Sequence, residues 1–226
     1  GRPHPFQITM RRFGRIRNVE SVLQNIPLTP FFFDCLYHEE IPSGALIQRI
    51  ITRDSEEVRR FLQHAFDAGH EGLMVKSLMA PYTAGRRGFH WLKLKGAKTL
   101  DLVILAAEWG HGQRSGLLSN LHLGARDPES GQFVMLGKTF KGLTDEMLQW
   151  QTRKLLSLEV ERDPWTVYVK PELVAEIAFS DIQESPHYPA GLALRFARVR
   201  RFRPDKSAAE ADTIETVTEI FRQQRG

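Results

Sequence analysis

Apolar positions in the first part of the chain follow two different periods. Val58, Phe61, Leu62, Ala65 and Phe66 recur at helical spacing. Asp54 or Ser55 stands where a cap belongs, Glu56 and Glu57 fall in the first turn, and Gly69 ends the pattern. Residues 72–76 and 89–94 are short apolar runs and read as strands, separated by a loop marked by Pro81 and Gly85. Upstream, residues 6–17 read as a basic, partly helical segment. Pro27 and Pro30 lead into a short aromatic strand at 31–37.

From about Thr99 the texture becomes β-rich. Strand segments are predicted at 100–109, 117–124, 133–140, 165–179 and 193–202, with one helix at about 144–157. Gly110, Gly112, Gly116, Asp127-Pro128 and Gly131 punctuate the turns. Several strands around one interposed helix predict a small Greek-key barrel of the OB type. Ser207-x-x-Glu210 has the form of a capping box and predicts a last helix with Ile214, Val217, Ile220 and Phe221 on one face. The expected fold class is α+β, with a first domain at 1–98 and the barrel plus C-terminal helix at 99–226. Residues 131–139 (Gly131, Gly137-Lys138-Thr139) imitate a P-loop, but five residues separate the glycines, and 133–136 read as strand.

Bulk properties narrow the class. The 226 residues are 42% hydrophobic and 26% charged, as in ordinary globular proteins, and can bury a real core. A net charge of +4 suits a polyanionic partner, and the clustering says more than the sum. Cations gather at Arg11, Arg12, Arg15 and Arg17, then from Arg86 to Lys98, then from Arg195 to Lys206. The single Cys35 excludes an internal disulfide and a CxxC metal site. No run is long and apolar enough to span a bilayer, and no signal peptide stands at the start, so a cytoplasmic protein is expected. Residues 1–5 read as the middle of a loop, with no initiator methionine.

The two short strands carry the chemistry. In a strand, Trp91, Lys93 and Lys95 share one face while Leu92 and Leu94 take the other. Like charges side by side repel unless an anion lies over them, and a phosphate would serve. Glu71 is the only carboxylate between Asp67 and Asp101 and could hold a divalent cation beside that phosphate. The competing reading of Lys93 and Lys95 is a solvated edge that discourages aggregation. Lys76 lies five residues from Glu71, so both serve one site only if the strand bends or Glu71 lies at its edge.

Glu71-Gly-Leu-Met-Val-Lys76 and the stretch 81–95 (PYTAGRRGFHWLKLK) resemble motifs IV and V of the ATP-dependent DNA ligases, in the covalent nucleotidyltransferase superfamily. Phe32-Phe33-Asp34-Cys35-Leu36-Tyr37 resembles their motif IIIa. Arg195-Phe196-Ala197-Arg198 with Arg203-Pro204-Asp205-Lys206 resembles motif VI. Residues 137–143 (GKTFKGL) are similar to the bacterial replication-independent members. The resemblance implies the latter part of an adenylation domain followed by an OB domain. It implies ATP and Mg2+ as cofactors and nicked duplex DNA as partner, in a monomer working at the nucleoid without membrane contact.

Site roles follow from the same resemblance. Phe33 would stack on adenine or, alternatively, serve as a buried strand aromatic. Glu71 would bind magnesium, Lys93 and Lys95 would contact the α-phosphate, and Lys76 and Arg87 would reach the nucleotide. Arg86 is a DNA contact or a solvated loop charge. Arg198, Arg203 and Lys206 would orient the ATP pyrophosphate or form a basic DNA surface, with Arg195 and Arg200 on DNA. The family nucleophile sits in Lys-x-Asp-Gly, and this chain has no Asp-Gly dipeptide and no second metal-binding Leu-Asp-Gly-Glu motif. A C-terminal portion unable to self-adenylylate is therefore expected. The alternatives are a non-catalytic nucleic-acid-binding OB module, or RNA ligase or capping chemistry on the same scaffold.

Overall fold

A computed structural model of the chain describes every residue except 1, 2, 5, 14–18, 34–41, 82–87, 97, 225 and 226. Arg15, Arg17, Cys35, Arg86, Arg87 and most of the expected aromatic strand lie outside the described residues. The chain divides into two compact units, Gly1–Gly96 and Ala97–Gly226.

The first unit contains helices α1 (Phe6–Met10), α2 (Val19–Asn25) and α3 (Ser55–Asp67), then strands β1 (Gly72–Lys76) and β2 (Trp91–Lys95). α3 begins as its sequence predicts: the Asp54 carboxylate accepts the Glu56 N–H at 2.9 Å. Gly69, at φ +84°, follows its end. α1 stops at Met10, and Arg11, Arg12 and Phe13 form turns bonded three residues back. Of the expected strand at 31–37, the described part makes one parallel bridge, Phe32 to Leu46. β1 and β2 pair antiparallel, Gly72 opposite Lys95 and Lys76 opposite Trp91. Only glycine suits position 72: φ is +144°, and a Cβ there would sit 2.0 Å from the Leu94 carbonyl oxygen.

The second unit runs β3 (Lys98–Trp109), β4 (Leu118–Arg126), β5 (Phe133–Thr139), α4 (Asp145–Ser157), β6 (Glu159–Arg162), β7 (Thr166–Val169), β8 (Val174–Phe179), β9 (Asp181–Glu184), β10 (Leu192–Arg195), β11 (Arg198–Phe202) and α5 (Ile214–Gln223). The main sheet has the antiparallel order β11-β8-β3-β4-β5. Its two ends meet: the Val199 N–H donates to the Lys141 carbonyl at 2.9 Å, and the Thr139 hydroxyl to the Ala197 carbonyl at 2.6 Å. That closure, with α4 between the third and fourth barrel strands, is the OB arrangement. Leu100, Leu102, Ile104, Leu121, Leu123, Leu136 and Ile177 fill it, with Leu155 of α4 and Val217 of α5. Buried Gln151 and Thr152 tie α4 to β4, taking the Leu118 carbonyl at 2.5 Å and its N–H at 3.0 Å.

Three expectations change in detail. The segment 165–179 is two strands, because Lys170-Pro171 interrupts the ladder and proline has no N–H to give. The segment 193–202 is also two strands, broken where Phe196 takes a left-handed backbone at φ 54°. The Ser207/Glu210 capping box forms with both halves present, but it caps a single 3-10 turn, Ala208–Glu210. α5 starts later and has its own cap in Thr213, whose hydroxyl accepts the Thr216 N–H at 3.2 Å.

The delay has a tertiary cause. Asp212 is drawn into an extended strap across the barrel: its N–H donates to the Asp101 carbonyl at 2.8 Å, and its own carbonyl accepts the Arg126 N–H at 3.0 Å. The Asp212 carboxylate takes the Asp101 N–H at 2.7 Å. Asp101, 9% exposed, returns the hold by accepting from Arg203 at 2.9 Å and Lys206 at 2.6 Å on one carboxylate oxygen. Removing one member of such a set strands the others without a partner, which costs more than the intact set contributes. Asp101→Ala is expected to lower the melting temperature by roughly 5–10 °C, and Asp101→Asn by less, read by calorimetry or circular dichroism.

Candidate functional site

The β1–β2 register puts Gly72, Met74 and Lys76 on the same face as Trp91, Lys93 and Lys95. Lys93 lies opposite Met74, and Lys95 opposite Gly72. Glu71 precedes β1, at the edge the sequence required of it, and its carboxylate accepts from the Lys95 ammonium at 2.5 Å. Lys76, at the other end of the ladder, donates to the Phe33 carbonyl at 3.0 Å. Its ammonium lies 4.1 Å from the centre of the Trp91 ring and 5.1 Å from that of Phe33. Phe33 is 61% exposed, so its ring is a free surface rather than a core residue.

This face joins an open aromatic ring, three lysines and one carboxylate. The lysines are compact point charges suited to phosphate oxygens. The ring suits the face of a base. Among the described residues no three His, Cys, Asp or Glu side chains gather to hold a metal on their own. A magnesium ion ordinarily takes one or two protein carboxylates plus substrate phosphates, so Glu71 beside the lysines fits a metal that arrives with a nucleotide.

The motif VI positions lie in the second unit. Arg198 is exposed on β11, opposite Ala178 of β8. Arg200 lies 3.6 Å from Glu176, whose carboxylate also accepts from Arg201 at 2.6 Å. Arg203 and Lys206 share Asp101, and Arg203 also donates to Asp205 at 2.7 Å. Arg195 lies with its guanidinium 4.8 Å from the Phe196 ring centre. Lys141 is 5.5 Å from the same ring and 5.9 Å from that of Phe140. Arg114 donates to the Phe140 carbonyl at 2.7 Å. Phe140 and Phe196 are 53% and 58% exposed, giving an open patch of two rings and three cations. Of these, only Arg195 takes a site role from the sequence; Phe196 and Phe140-Lys141 enter there only as parts of the motif VI and 137–143 resemblances. Phe140-Lys141 and Arg114 belong to segments distant in the chain, and barrel closure brings them to Phe196.

Sequence reasoning also missed a polar cluster on the outer barrel face. Glu108 accepts from Asn120 at 2.7 Å, from His122 at 3.0 Å and from Lys138. Burial alone would raise the Glu108 carboxyl, but hydrogen bonds from Lys138, His122 and Asn120 outweigh it and hold it at about 2. Burial pushes the His122 imidazole below its ordinary value despite the Glu108 carboxylate beside it. A charged Glu108 in a β-rich run was the available signal, by the same logic that singled out Glu71.

A cation-and-aromatic face on a two-stranded ladder, followed along the chain by a closed OB barrel, is the arrangement that comparison with known proteins places among the ATP-dependent DNA ligases. Residues 42–95 match the family model described as ATP dependent DNA ligase domain, and residues 114–206 match the ATP dependent DNA ligase C terminal region. A probable DNA ligase of Anaeromyxobacter dehalogenans (strain 2CP-C) is 56% identical over 240 residues, covering 98% of this chain and 47% of the relative. One from Sorangium cellulosum (strain So ce56) is 51% identical over 238 residues, covering 97% and 45%. The solved structure described as "Pmar-Lig_Pre." matches with a TM-score of 0.51 at 22% identity, over 66% of this chain and 30% of that one, a likeness of fold. The chain belongs to the ATP-dependent DNA ligase family. It spans about half the length of the curated relatives it matches.

The Glu108 cluster predicts a pH signature. A carboxyl held at about 2 in the folded protein, against an ordinary value of 4.5, stabilises fully above about pH 4.5 and loses that contribution as pH falls toward 2. Glu108→Gln should lower the melting temperature by roughly 3 °C at neutral pH, with the gap to the unsubstituted protein closing between pH 4.5 and 2.

Proposed function

We propose that this chain supplies one wall of the nucleotide pocket and the DNA-gripping barrel of an ATP-dependent, nick-sealing DNA ligase. The observation that carries the reading is the single ladder face bearing Lys76, Lys93 and Lys95, with Glu71 at its edge and the open Phe33 ring beside it. ATP supplies the adenylyl group in this chemistry, and magnesium offsets charge on its phosphates. Each step is a displacement at phosphorus, in which negative charge builds on the phosphoryl oxygens and nearby cations lower the barrier.

The chain's own residues then take defined parts. Phe33 stacks on the adenine base. Lys93 and Lys95 neutralise the α-phosphate, with Lys76 and Arg87 at the nucleotide. Glu71 holds the magnesium beside that phosphate. Arg198 is the motif VI cation that the fold leaves exposed for a phosphate, whereas Arg203 and Lys206 reach one by exchanging Asp101 for it. The patch of Phe140, Lys141, Arg195 and Phe196, with Arg200 as a further cation, lies against duplex DNA near the nick; Arg86, in the other unit, is a separate DNA contact. No Asp-Gly dipeptide occurs among the 226 residues, so the nucleophilic lysine of the family motif is not in this chain. The protein works as a monomer on DNA in the cytoplasm, at the nucleoid.

A second reading is favoured by the patch itself. Exposed rings interleaved with cations suit nucleic-acid binding without catalysis. One experiment separates the two. The chain is incubated with radiolabelled ATP and magnesium, and its binding to ATP and to nicked duplexes of DNA and of RNA is measured over a salt series. The ligase reading expects ATP binding, no protein label and a preference for DNA. Affinity for DNA should fall steeply with salt, and Phe196→Ala should weaken it roughly fivefold. DNA binding without ATP binding favours the non-catalytic module. A labelled lysine overturns the statement that the nucleophile is not in this chain, no ATP binding overturns the nucleotide-wall role, and no DNA binding at low salt overturns the DNA-gripping role of the barrel.

A further inference from the structure

Trp91 has no charge to offer a phosphate, yet it occupies the ladder position directly opposite Lys76. The Lys76 ammonium lies over its ring, 4.1 Å from the centre. The same ammonium donates to the Phe33 carbonyl at 3.0 Å and lies 5.1 Å from the Phe33 ring centre. Phe33 meets Trp91 edge to face, with the ring centres 6.4 Å apart and the planes at 84°. These contacts form a closed triangle of Trp91, Lys76 and Phe33.

Each corner needs the others. A lysine carries its charge on a flexible four-carbon stem, so its tip takes one position only when something holds it there. An ammonium over an indole face is held by the ring's quadrupole, best of all with tryptophan. Among the described residues Phe33 belongs to no strand, and its neighbour Phe32 makes a single bridge, to Leu46. The regular ladder ends at the Lys76–Trp91 pair, so the Lys76–Phe33 bond carries its order across to a ring that no sheet register fixes.

We propose that Trp91 is a positioning residue of the nucleotide site: its indole fixes Lys76, and Lys76 fixes the main chain and ring of Phe33, the surface on which the purine of ATP stacks. This role rests on the nucleotide reading given above. Lys76 thereby acts on the base through Phe33, while Lys93 and Lys95 act on the phosphates directly. Trp91 touches no reacting atom.

The test uses the whole chain, with ATP as probe, in the unsubstituted protein, Trp91→Phe, Trp91→Leu, Lys76→Met and the Trp91→Leu/Lys76→Met double variant. The amide resonances of α3, β1 and β2 serve as the control for folding of the first unit, and DNA binding as that of the barrel. Trp91→Leu is expected to weaken ATP binding roughly three- to tenfold, and Trp91→Phe by about twofold or less. The double variant should lose little beyond Lys76→Met alone, because the two act in series. A readout that bulk packing would not move is the Lys76 ε-methylene proton resonance. The indole ring should shift it upfield in the unsubstituted protein, Trp91→Phe should keep part of the shift, and Trp91→Leu should abolish it. Equal ATP affinity in Trp91→Leu and the unsubstituted chain, fully additive losses in the double variant, or an ε-methylene resonance indifferent to Trp91 would each overturn the positioning role alone. Failure of the unsubstituted chain to bind ATP would overturn the nucleotide reading and this role with it.

Discussion

β3 has to satisfy two neighbours along one edge and a third along the other. Residues from Lys98 to Val103 pair with β8, residues from Ala106 to Glu108 pair with β7, and from Val103 onward the opposite edge pairs with β4. A regular strand cannot do this and keep one face toward a curved interior. The ladder slips between Ile104 and Ala106, and the slip reverses the parity of the side chains. Leu100, Leu102 and Ile104 face the core before it, and Ala107 faces the same core after it. Asp101 and Glu108, which differ in parity by sequence number, thus both point outward. Each then finds cations: Asp101 meets Arg203 and Lys206 of the strap, and Glu108 meets Lys138 across the sheet. The bend that closes the barrel also decides where its two ionic clusters form.

The first unit solves a smaller version of the same problem. A two-stranded ladder has little area to bury, so its register is the main source of order, and that register places every cation of both strands on one face. Three ammonium groups on so small a face repel one another. The structure relieves this by distribution: Lys95 leans on Glu71, Lys76 leans on aromatic rings and a carbonyl, and Lys93 stays exposed. An anion placed over the ladder would offset the repulsion that these contacts leave, in keeping with the phosphate role proposed for this face.

The elements with strong local signals were legible in the sequence. α3 has its cap, first-turn acids and terminal glycine in the expected places, and the barrel strands fall near the predicted apolar runs. The breaks were less legible. Phe196 gives no warning of a left-handed backbone, since that conformation is imposed where the strand must leave β10 and enter β11. The Ser207/Glu210 box was read correctly as a cap and wrongly as the start of the last helix, because backbone pairing of Asp212 with Asp101 and Arg126 outweighs helix propagation there. In the candidate site, the shared face of Trp91, Lys93 and Lys95 followed from alternation alone. That Lys76 turns to Phe33 and Trp91 while Glu71 turns to Lys95 could not follow from it, because those contacts depend on the register between two strands and on a loop far upstream.

By itself the sequence determined the periods: which residues form helices and strands, which side chains share a strand face, and, through ordered motifs, the ligase family. It could do so because alternation and capping act over a few residues, and motif spacing survives whatever the chain does between motifs. Tertiary structure alone decided the partners. Whether Arg203 and Lys206 stand free or share a carboxylate depends on a residue about a hundred positions away, and the ring patch at Phe196 exists only because the barrel closes. Charge neutralisation and ring contacts act over a few ångströms in space without regard to distance along the chain, so no reading of local pattern could have assigned them.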